Sequence, residues 1–358
     1  MIFYFMNMFI YIAFCVYIYT NQYISLKTKS QFSCFVWLLQ FGLLAALRAD
    51  TVGTDLPTYK DGFLEFVVGN ERITSRSWEA GYVFLNKIIA SIGGSFNLLM
   101  ALCSMLTLAM VVYNIYRISS EPCFCLFLYS TLVYYYAGFN MIRQSLAMAI
   151  CLFAYRYLLK RSFIKYILII LIASMFHYSA LILLPLYFIV KIEITPKSLI
   201  VLVPLWLLGL YGAIRLLYVF EPFMGKYASY LTNLAYMQGR SIKNLALPMA
   251  IFLAGYLFRK QLYQINSYNK FLISISFFSL VVSSVQLKVG IFERFSLYYN
   301  ILNIFLLAQI PQCFYGRWQK FFAYIVVGMC AVGYNFYTFY YNFHRVLPYA
   351  SVLSNLIN

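Results

Sequence analysis

The chain has 358 residues, of which 63% are hydrophobic and only 10% are charged, whereas soluble domains carry roughly 25% charged residues. This composition excludes a water-soluble fold, because so much apolar surface could not be hidden from solvent. The formal net charge of +17 at pH 7 comes from basic residues scattered between apolar stretches. Their scatter argues against nucleic acid as a partner and favours membrane lipid.

Apolar stretches of about 20 residues, the length needed to cross a bilayer, recur along the whole chain. They predict an all-α, polytopic integral membrane protein of about 12 transmembrane helices (roughly 11–13), forming a single domain over residues 1–358. The first stretch lacks a cationic leader and a small-residue cleavage site, so we expect a retained helix rather than a signal peptide. The predicted spans lie at roughly 3–20, 32–47, 96–116, 122–139, 141–159, 163–178, 179–190, 198–219, 244–258, 270–287, 295–310 and 320–341.

Charge predicts the orientation, because short cytoplasmic loops collect Lys and Arg. Two longer loops, 48–95 and 220–243, are then extracytoplasmic. Within the first, segment 79–94 is apolar on one face but carries Asn86 and Lys87, so it reads as a re-entrant or interfacial helix, with a further crossing left open. The brief basic linkers assigned to the cytoplasm contain Lys27/Lys29, Arg117, Lys160/Arg161/Lys165, Lys191/Lys197, Arg259/Lys260 and Arg317/Lys320.

The outward helix ends hold more cations than orientation requires. Snorkelling to the headgroups explains a lone cation such as Lys226 or Lys288. Arg143 instead opens its span beside Gln144 in a polar run, which favours a position facing an aqueous cavity. For His177, hydrogen bonding at a helix end and a functional role are equally open. The full outward set is Arg48, Arg143, His177, Lys226, Arg240, Lys243, Lys288 and Arg294.

The first long loop is also where acidic residues concentrate. Asp50 and Asp55 stand in a turn-rich stretch with Gly53 and Pro57, so each is either a general base or a side chain that bonds the local backbone. Six of the ten acidic residues fall in this loop: Asp50, Asp55, Asp61, Glu65, Glu71 and Glu79. The eight cysteines lack paired metal-ligand spacing, so they are expected to be small buried hydrophobes, and no metal site is predicted.

Five short segments, in this order, resemble the EpsG family, which belongs among the Wzy-like polymerases of bacterial exopolysaccharide and O-antigen. The similarity runs from about residue 48 to 300. The segments are Arg48-Ala-Asp-Thr-Val-Gly-Thr-Asp55-Leu-Pro-Thr-Tyr59, Glu79-Ala-Gly81-Tyr82, Arg143-Gln144-Ser-Leu-Ala147, Phe176-His177-Tyr-Ser179 and Glu293-Arg294-Phe.

The resemblance implies a multi-pass protein of the bacterial inner membrane that polymerises undecaprenyl-diphosphate-linked oligosaccharide repeat units of O-antigen, capsule or exopolysaccharide. The reaction would be a glycosyl transfer at the extracytoplasmic face, with a lipid diphosphate as leaving group. No metal or other cofactor is expected, because the sequence has no tight cluster of His, Asp and Glu ligands and arginines can take the place of a metal at the diphosphate. The partners would be the lipid-linked oligosaccharide and membrane lipid, and a chain-length regulator is left open.

We expect Arg143 and Arg294 to approach one cavity and to stabilise the diphosphate through charge-assisted hydrogen bonds. His177, Asp50 and Asp55 are the candidates for the general base. The catalytic assignment is therefore His177, Arg143, Arg294, Asp55 and Asp50. The substrate-binding assignment is Arg48, Tyr59, Gln144, Arg240, Glu293 and Tyr298.

Three other functions were weighed. A flippase for the same lipid-linked oligosaccharide needs charged groups along a path through the bilayer, but Arg215 alone is charged well inside a predicted span. A membrane acyltransferase would use an intramembrane histidine and leave the outward arginines without a purpose. A ligase that moves finished O-antigen polymer has the closest chemistry, and the sequence does not separate it from a polymerase.

Overall fold

The structure is a computed structural model that describes residues 1–69, 77–221, 228 and 231–353. It is helical over 76% of the chain, and no strand occurs among the described residues. The predicted all-α class is therefore confirmed. Glu71 and Lys226, both named in the sequence analysis, lie outside the described residues.

The chain packs as two compact units. The first comprises Met1–Arg156, Ile164–Leu181 and Ile325–Asn358, and the second comprises Tyr157–Phe163 and Ile182–Tyr324. The predicted single membrane domain stays a prediction.

The α-helices up to Ser174 are α1 Ile2–Thr20, α2 Leu26–Ala46, α3 Leu56–Val67, α4 Ala80–Ser91, α5 Phe96–Ile118, α6 Pro122–Thr131, α7 Tyr134–Ala137, α8 Ile142–Leu159 and α9 Phe163–Ser174. The later ones are α10 Leu186–Ile189, α11 Pro196–Phe220, α12 Leu234–Met237, α13 Ala246–Leu257, α14 Arg259–Ile265, α15 Asn269–Val285, α16 Phe292–Asn300, α17 Asn303–Leu307 and α18 Arg317–Tyr340.

Four helices within the described ranges are long and apolar enough to cross a membrane: Ile2–Thr20, Phe96–Ile118, Pro196–Arg215 and Arg317–Tyr340. A fifth candidate is the pair Ile242–Leu257 and Arg259–Ile265, which bends by 73° at its break. The protein is thus a membrane protein with several apolar helices, but the predicted count of about 12 spans is not confirmed.

Part of the shortfall arises where the apolar sequence continues but the helix does not. Predicted span 122–139 is divided between α6 and α7, because Val133 takes a positive φ of 81° that no helix can include. Predicted span 179–190 consists of a 3-10 segment, Tyr178–Leu183, followed by the four-residue α10. Predicted span 295–310 is likewise divided between α16 and α17.

The first long loop folds into α3 and α4, which pack against α5 in one apolar cluster. Phe63 of α3, Tyr82 of α4 and Met100 of α5 are among its buried members. Each of the two helices has 12 residues, a length of about 18 Å, whereas the hydrocarbon core is about 30 Å thick. Helix α4 is therefore too short to cross alone, which agrees with the re-entrant or interfacial alternative for segment 79–94.

The C-terminal segment after α18 is hydrogen-bonded back onto the beginning of the chain. Its bonds within the first unit include Tyr4 Oη to the Val346 carbonyl (2.9 Å), Ala49 N to the Ala350 carbonyl (2.8 Å), Val352 N to the Leu47 carbonyl (2.9 Å) and Asn140 Nδ2 to the His344 carbonyl (2.7 Å). The same Asn140 accepts the Thr54 amide through Oδ1 at 2.5 Å. Gly53 is required here, since its φ is +131° and a Cβ would lie 2.6 Å from that oxygen.

The predicted orientation is testable by cysteine labelling. With exposed native Cys330 replaced, a cysteine at Asp61 or Gln238 should react with an impermeant maleimide in intact cells. A cysteine at Lys27 or Lys160 should react only after permeabilisation, because both linkers are assigned to the cytoplasm by their charge. All four positions are exposed. Reversed labelling would move the site described below to the cytoplasmic face.

Docking of the C-terminal segment should weaken in acid. Burial lowers the pKa of His344 from 6.5 to about 4, so the docked state favours the neutral imidazole. Below pH 6.5 the undocked state binds more protons, and stability is lost progressively towards pH 4, by at most about 3 kcal/mol. Hydrogen exchange of residues 344–353, corrected for its intrinsic pH dependence, should speed up over that range. His344→Gln should remove the effect, and an unchanged pH dependence in this variant would contradict the assignment.

Candidate functional site

The carboxylate of Glu79 lies at the centre of a polar site in the first unit. Its Oε2 is 2.6 Å from Arg143 Nη1, and its Oε1 is 2.9 Å from His177 Nδ1. The backbone amide of Tyr178 donates to the same Oε1 at 3.2 Å. Only 1% of the Glu79 side chain is exposed. A carboxylate with this many donors is satisfied in its ionised form, so it orients its neighbours rather than acting as a base.

Local chain geometry explains why Glu79 reaches these partners. It occupies the N-cap position of α4, yet its side chain does not cap that helix; its oxygens are used by Arg143 and His177. The N-terminus of α4 also touches the chain just after α9, where the Gly81 amide donates to the Met175 carbonyl at 2.7 Å. A Cβ on Gly81 would lie 2.8 Å from that oxygen, so this close approach requires glycine.

Arg143 is held on several sides but not enclosed. Its Nε donates to Tyr59 Oη at 3.4 Å, and its guanidinium lies 5.6 Å from the Tyr59 ring and 5.7 Å from the Trp78 ring. Both distances fall within the range for cation–π attraction. Its Nη2 makes no hydrogen bond among the described residues, and 20% of the side chain is exposed. One edge of the guanidinium fork is therefore available to a ligand.

His177 follows α9, and 16% of its side chain is exposed. Because an ionised carboxylate only accepts hydrogen bonds, the contact with Glu79 assigns the proton to Nδ1. A neutral imidazole in that tautomer has Nε2 as its basic nitrogen. The pairing is the carboxylate–histidine arrangement that general-base sites use, in which the acid fixes the tautomer and stabilises the imidazolium once it forms.

The two aspartates predicted as bases have other partners. Asp50 Oδ2 lies 2.6 Å from Lys60 Nζ, and this hydrogen bond raises the pKa of Lys60. Asp55 accepts from the Thr54 hydroxyl at 3.0 Å. Neither contact is to the local backbone, and neither is to Arg143 or His177. Their catalytic role stays a prediction. Among the described residues no three His, Cys, Asp or Glu side chains are grouped as metal ligands.

Arg48, predicted to bind substrate, is fully buried. Its Nη1 donates to the Ala45 carbonyl and to Ser104 Oγ, the latter at 2.8 Å, and its guanidinium lies 4.8 Å from the Phe139 ring. Burial lowers its pKa to about 10. Arg48 thus packs inside the first unit in this conformation. Gln144, also assigned to substrate, is 2% exposed, so contact with substrate at either residue stays a prediction.

The remaining predicted residues lie in the second unit. Arg240 Nε donates to Glu293 Oε2 at 2.9 Å, and the side chains are 36% and 50% exposed. Arg294 lies with its guanidinium 5.9 Å from the Tyr236 ring. Backbone bonds join the two segments, since the Arg240 amide donates to Gln286 and the Ile291 amide to Tyr236. Tyr298 is buried at 1% exposure. The predicted convergence of Arg294 with Arg143 stays a prediction.

Glu79 is the site residue that the sequence assignment missed. It lies in the family-like segment Glu79-Ala-Gly81-Tyr82, but the sequence analysis groups it with the acidic residues of the first long loop. A usable signal was present, because Glu79 immediately precedes the apolar segment that begins at Ala80. An acid at such a boundary either caps the helix or pairs with a buried cation.

Removing the charge of Glu79 should destabilise the protein. Glu79→Gln leaves Arg143 without its anion, which should cost about 3 kcal/mol, the low end for a buried pair, and the double variant Glu79→Gln/Arg143→Gln should regain part of the loss. Glu293→Gln is the matched control, because its pair with Arg240 is solvent-exposed and should contribute no more than about 1 kcal/mol. Thermal unfolding of the four proteins tests this expectation. Equal losses for Glu79→Gln and Glu293→Gln would contradict it.

Comparison with known proteins agrees with the family-like segments. The sequence profile of the EpsG family matches residues 31–351, which includes Glu79, Arg143, His177 and both members of the Arg240–Glu293 pair. No curated protein and no solved structure matched the chain. Since the match covers most of the sequence, the chain belongs to the EpsG family of polysaccharide-related membrane proteins.

Proposed function

We propose that the protein polymerises undecaprenyl-diphosphate-linked oligosaccharide repeat units at the extracytoplasmic face of the bacterial inner membrane. The observation that carries the proposal is the bonding of one buried carboxylate, Glu79, to both Arg143 and His177. A base and an anion-binding group are thereby fixed side by side. Family membership supports a polysaccharide-related role.

His177 is the proposed general base. In the reaction, a hydroxyl of the acceptor sugar attacks the anomeric carbon of the donor's reducing-end sugar. The new bond joins the acceptor oxygen to that carbon, and the bond from the carbon to the diphosphate oxygen breaks. The hydroxyl proton passes to Nε2 of His177, and undecaprenyl diphosphate leaves with the bonding electrons. Glu79 stabilises the imidazolium, as the acid does in other carboxylate–histidine pairs.

Arg143 is the proposed donor to the leaving diphosphate. Its Nη1 and Nε are already engaged by Glu79 and Tyr59, so the exposed Nη2 edge would meet the phosphate oxygens. Glu79 also cancels the positive charge of Arg143, and one such arginine would not balance a diphosphate. We therefore retain Arg294 as the second cation, with Arg240 behind it because Glu293 already pairs with it. Charge-assisted bonds of this kind stabilise developing negative charge without a metal.

The test is whether the purified protein extends a lipid-linked repeat unit in EDTA, without any nucleotide sugar. We expect a ladder of longer lipid-linked products. Arg143→Ala and Arg294→Ala should each lower the rate about 100- to 1,000-fold, as loss of a preorganised donor does. Arg143→Lys should keep partial activity, since Lys retains the charge but not the planar fork. His177→Ala should cost about 100-fold or more.

Lys288→Ala is the control, because Lys288 is an exposed cation of the second unit with no proposed role, and its rate should stay within about twofold of the parent. Protein amount and thermal stability are measured for every variant. If Arg143→Ala makes normal polymer at normal protein levels, Arg143 is a membrane anchor and does not stabilise the leaving diphosphate. Transfer of finished polymer to a lipid core, without chain extension, would identify a ligase instead.

A further inference from the structure

A cleft of about 300 Å³ opens in the first unit, and Glu79, Arg143 and His177 are not among the residues that line it. It lies where α2 begins, α5 ends and α6 begins. Its polar lining consists of Lys27, Ser30, Tyr116, Arg117, Ser119 and Ser120. This volume is at the lower end of the range for ligand-binding clefts, about 300–1,000 Å³.

The two cations of the cleft have no polar partner among the residues that the structure describes. Neither Lys27 nor Arg117 makes a hydrogen bond or an ion pair within the described part of the chain, and both are exposed. Other basic residues of the same kind of linker are engaged. Lys29 donates to the Tyr19 carbonyl at 3.0 Å, and Arg161 donates to the Tyr187 carbonyl at 2.6 Å.

No Asp or Glu stands among the residues that line the cleft. A bound phosphate is therefore a better partner for these two cations than a carboxylate of the protein. Glu121 is the nearest acidic residue in sequence, but it does not line the cleft. Ser30 and Ser120, whose side chains carry hydroxyls, line the same cleft, and the Ser30 hydroxyl is also 3.1 Å from Tyr19 Oη. Two positive charges with neighbouring hydroxyl donors form the kind of cluster that binds phosphate oxygens.

Apolar surface continues from the cleft along the helices. Leu26, which lines it, is 72% exposed, and Tyr113, one turn before Arg117 on α5, is 46% exposed. On a protein with membrane-spanning helices, such side chains meet acyl chains. A phosphate that is attached to acyl chains would therefore satisfy both the cations and the apolar surface, whereas free phosphate would use only the cations.

We propose that this cleft binds the headgroup of an anionic phospholipid, with Lys27 and Arg117 contacting its phosphate. The site is separate from the polymerisation chemistry proposed above. Both residues lie in linkers whose charge predicts a cytoplasmic position, and the cytoplasmic leaflet is where anionic lipid attracts basic clusters beside membrane helices.

The test is native mass spectrometry of the purified full-length protein with phosphatidylglycerol or phosphatidylcholine added. We expect the parent protein to retain phosphatidylglycerol preferentially. Lys27→Ala or Arg117→Ala should each lower its affinity about fivefold, and the double variant about 25-fold, because each basic residue near an anionic surface contributes on this scale. Lys27→Arg/Arg117→Lys keeps both charges and should keep most of the binding.

The matched control is the double variant Lys160→Ala/Arg317→Ala, which removes the same charge from exposed linker positions outside the cleft. It should leave phosphatidylglycerol retention unchanged. Equal losses in the two double variants would overturn the proposal in favour of diffuse surface charge. Equal retention of both lipids by the parent protein, or displacement of phosphatidylglycerol by inorganic phosphate at the same concentration, would overturn it as well. Thermal unfolding in phosphatidylcholine confirms that each variant is folded.

Discussion

A buried negative charge is the constraint on which the candidate site depends. An ionised carboxylate taken out of water must be matched by donors and by positive charge, and Glu79 obtains both from Arg143, His177 and the Tyr178 amide. These groups come from the head of α8 and the chain after α9, while Glu79 itself begins α4. One side chain therefore fixes three elements relative to each other, and Gly81 permits the close backbone contact that brings them together.

The cations of this protein differ in whether an acidic side chain compensates their charge, and this difference bears on what each cation can do. Arg143 is paired with an acid and held by aromatic rings. Its position is therefore fixed, but the pair that it forms with Glu79 carries no net charge. Arg48 is buried and neighbours aromatic rings rather than an acid. Lys27 and Arg117 are exposed and have no acidic partner among the residues that the structure describes. Preorganised donors suit the stabilisation of a reacting group, whereas exposed, uncompensated charge suits reversible attraction of an anionic surface.

The sequence was sufficient for the helical class, because apolar content is a local signal. The sequence also singled out Arg143, through the polar run that opens its apolar span, but it left the role of His177 open and selected that residue only through the family resemblance. It was not sufficient for the number of spans, since apolar content continues through the break at Val133 and through the 3-10 segment Tyr178–Leu183. Nor could it show that Glu79 joins Arg143 to His177, or that Arg48 points into the packed interior, because both depend on contacts between segments distant in sequence.

The hydrogen bonds of the C-terminal segment have a consequence for biosynthesis. The first unit takes its residues from both ends of the chain, and the Tyr4 and Leu47 contacts are made with Val346 and Val352. Domains generally fold from the N-terminus while translation proceeds, but this unit can close only after Val352 has left the ribosome. Helices α1 and α2 are therefore made long before the segment that completes their unit, with the second unit synthesised in between. A ribosome that stalls late would therefore leave the first unit open.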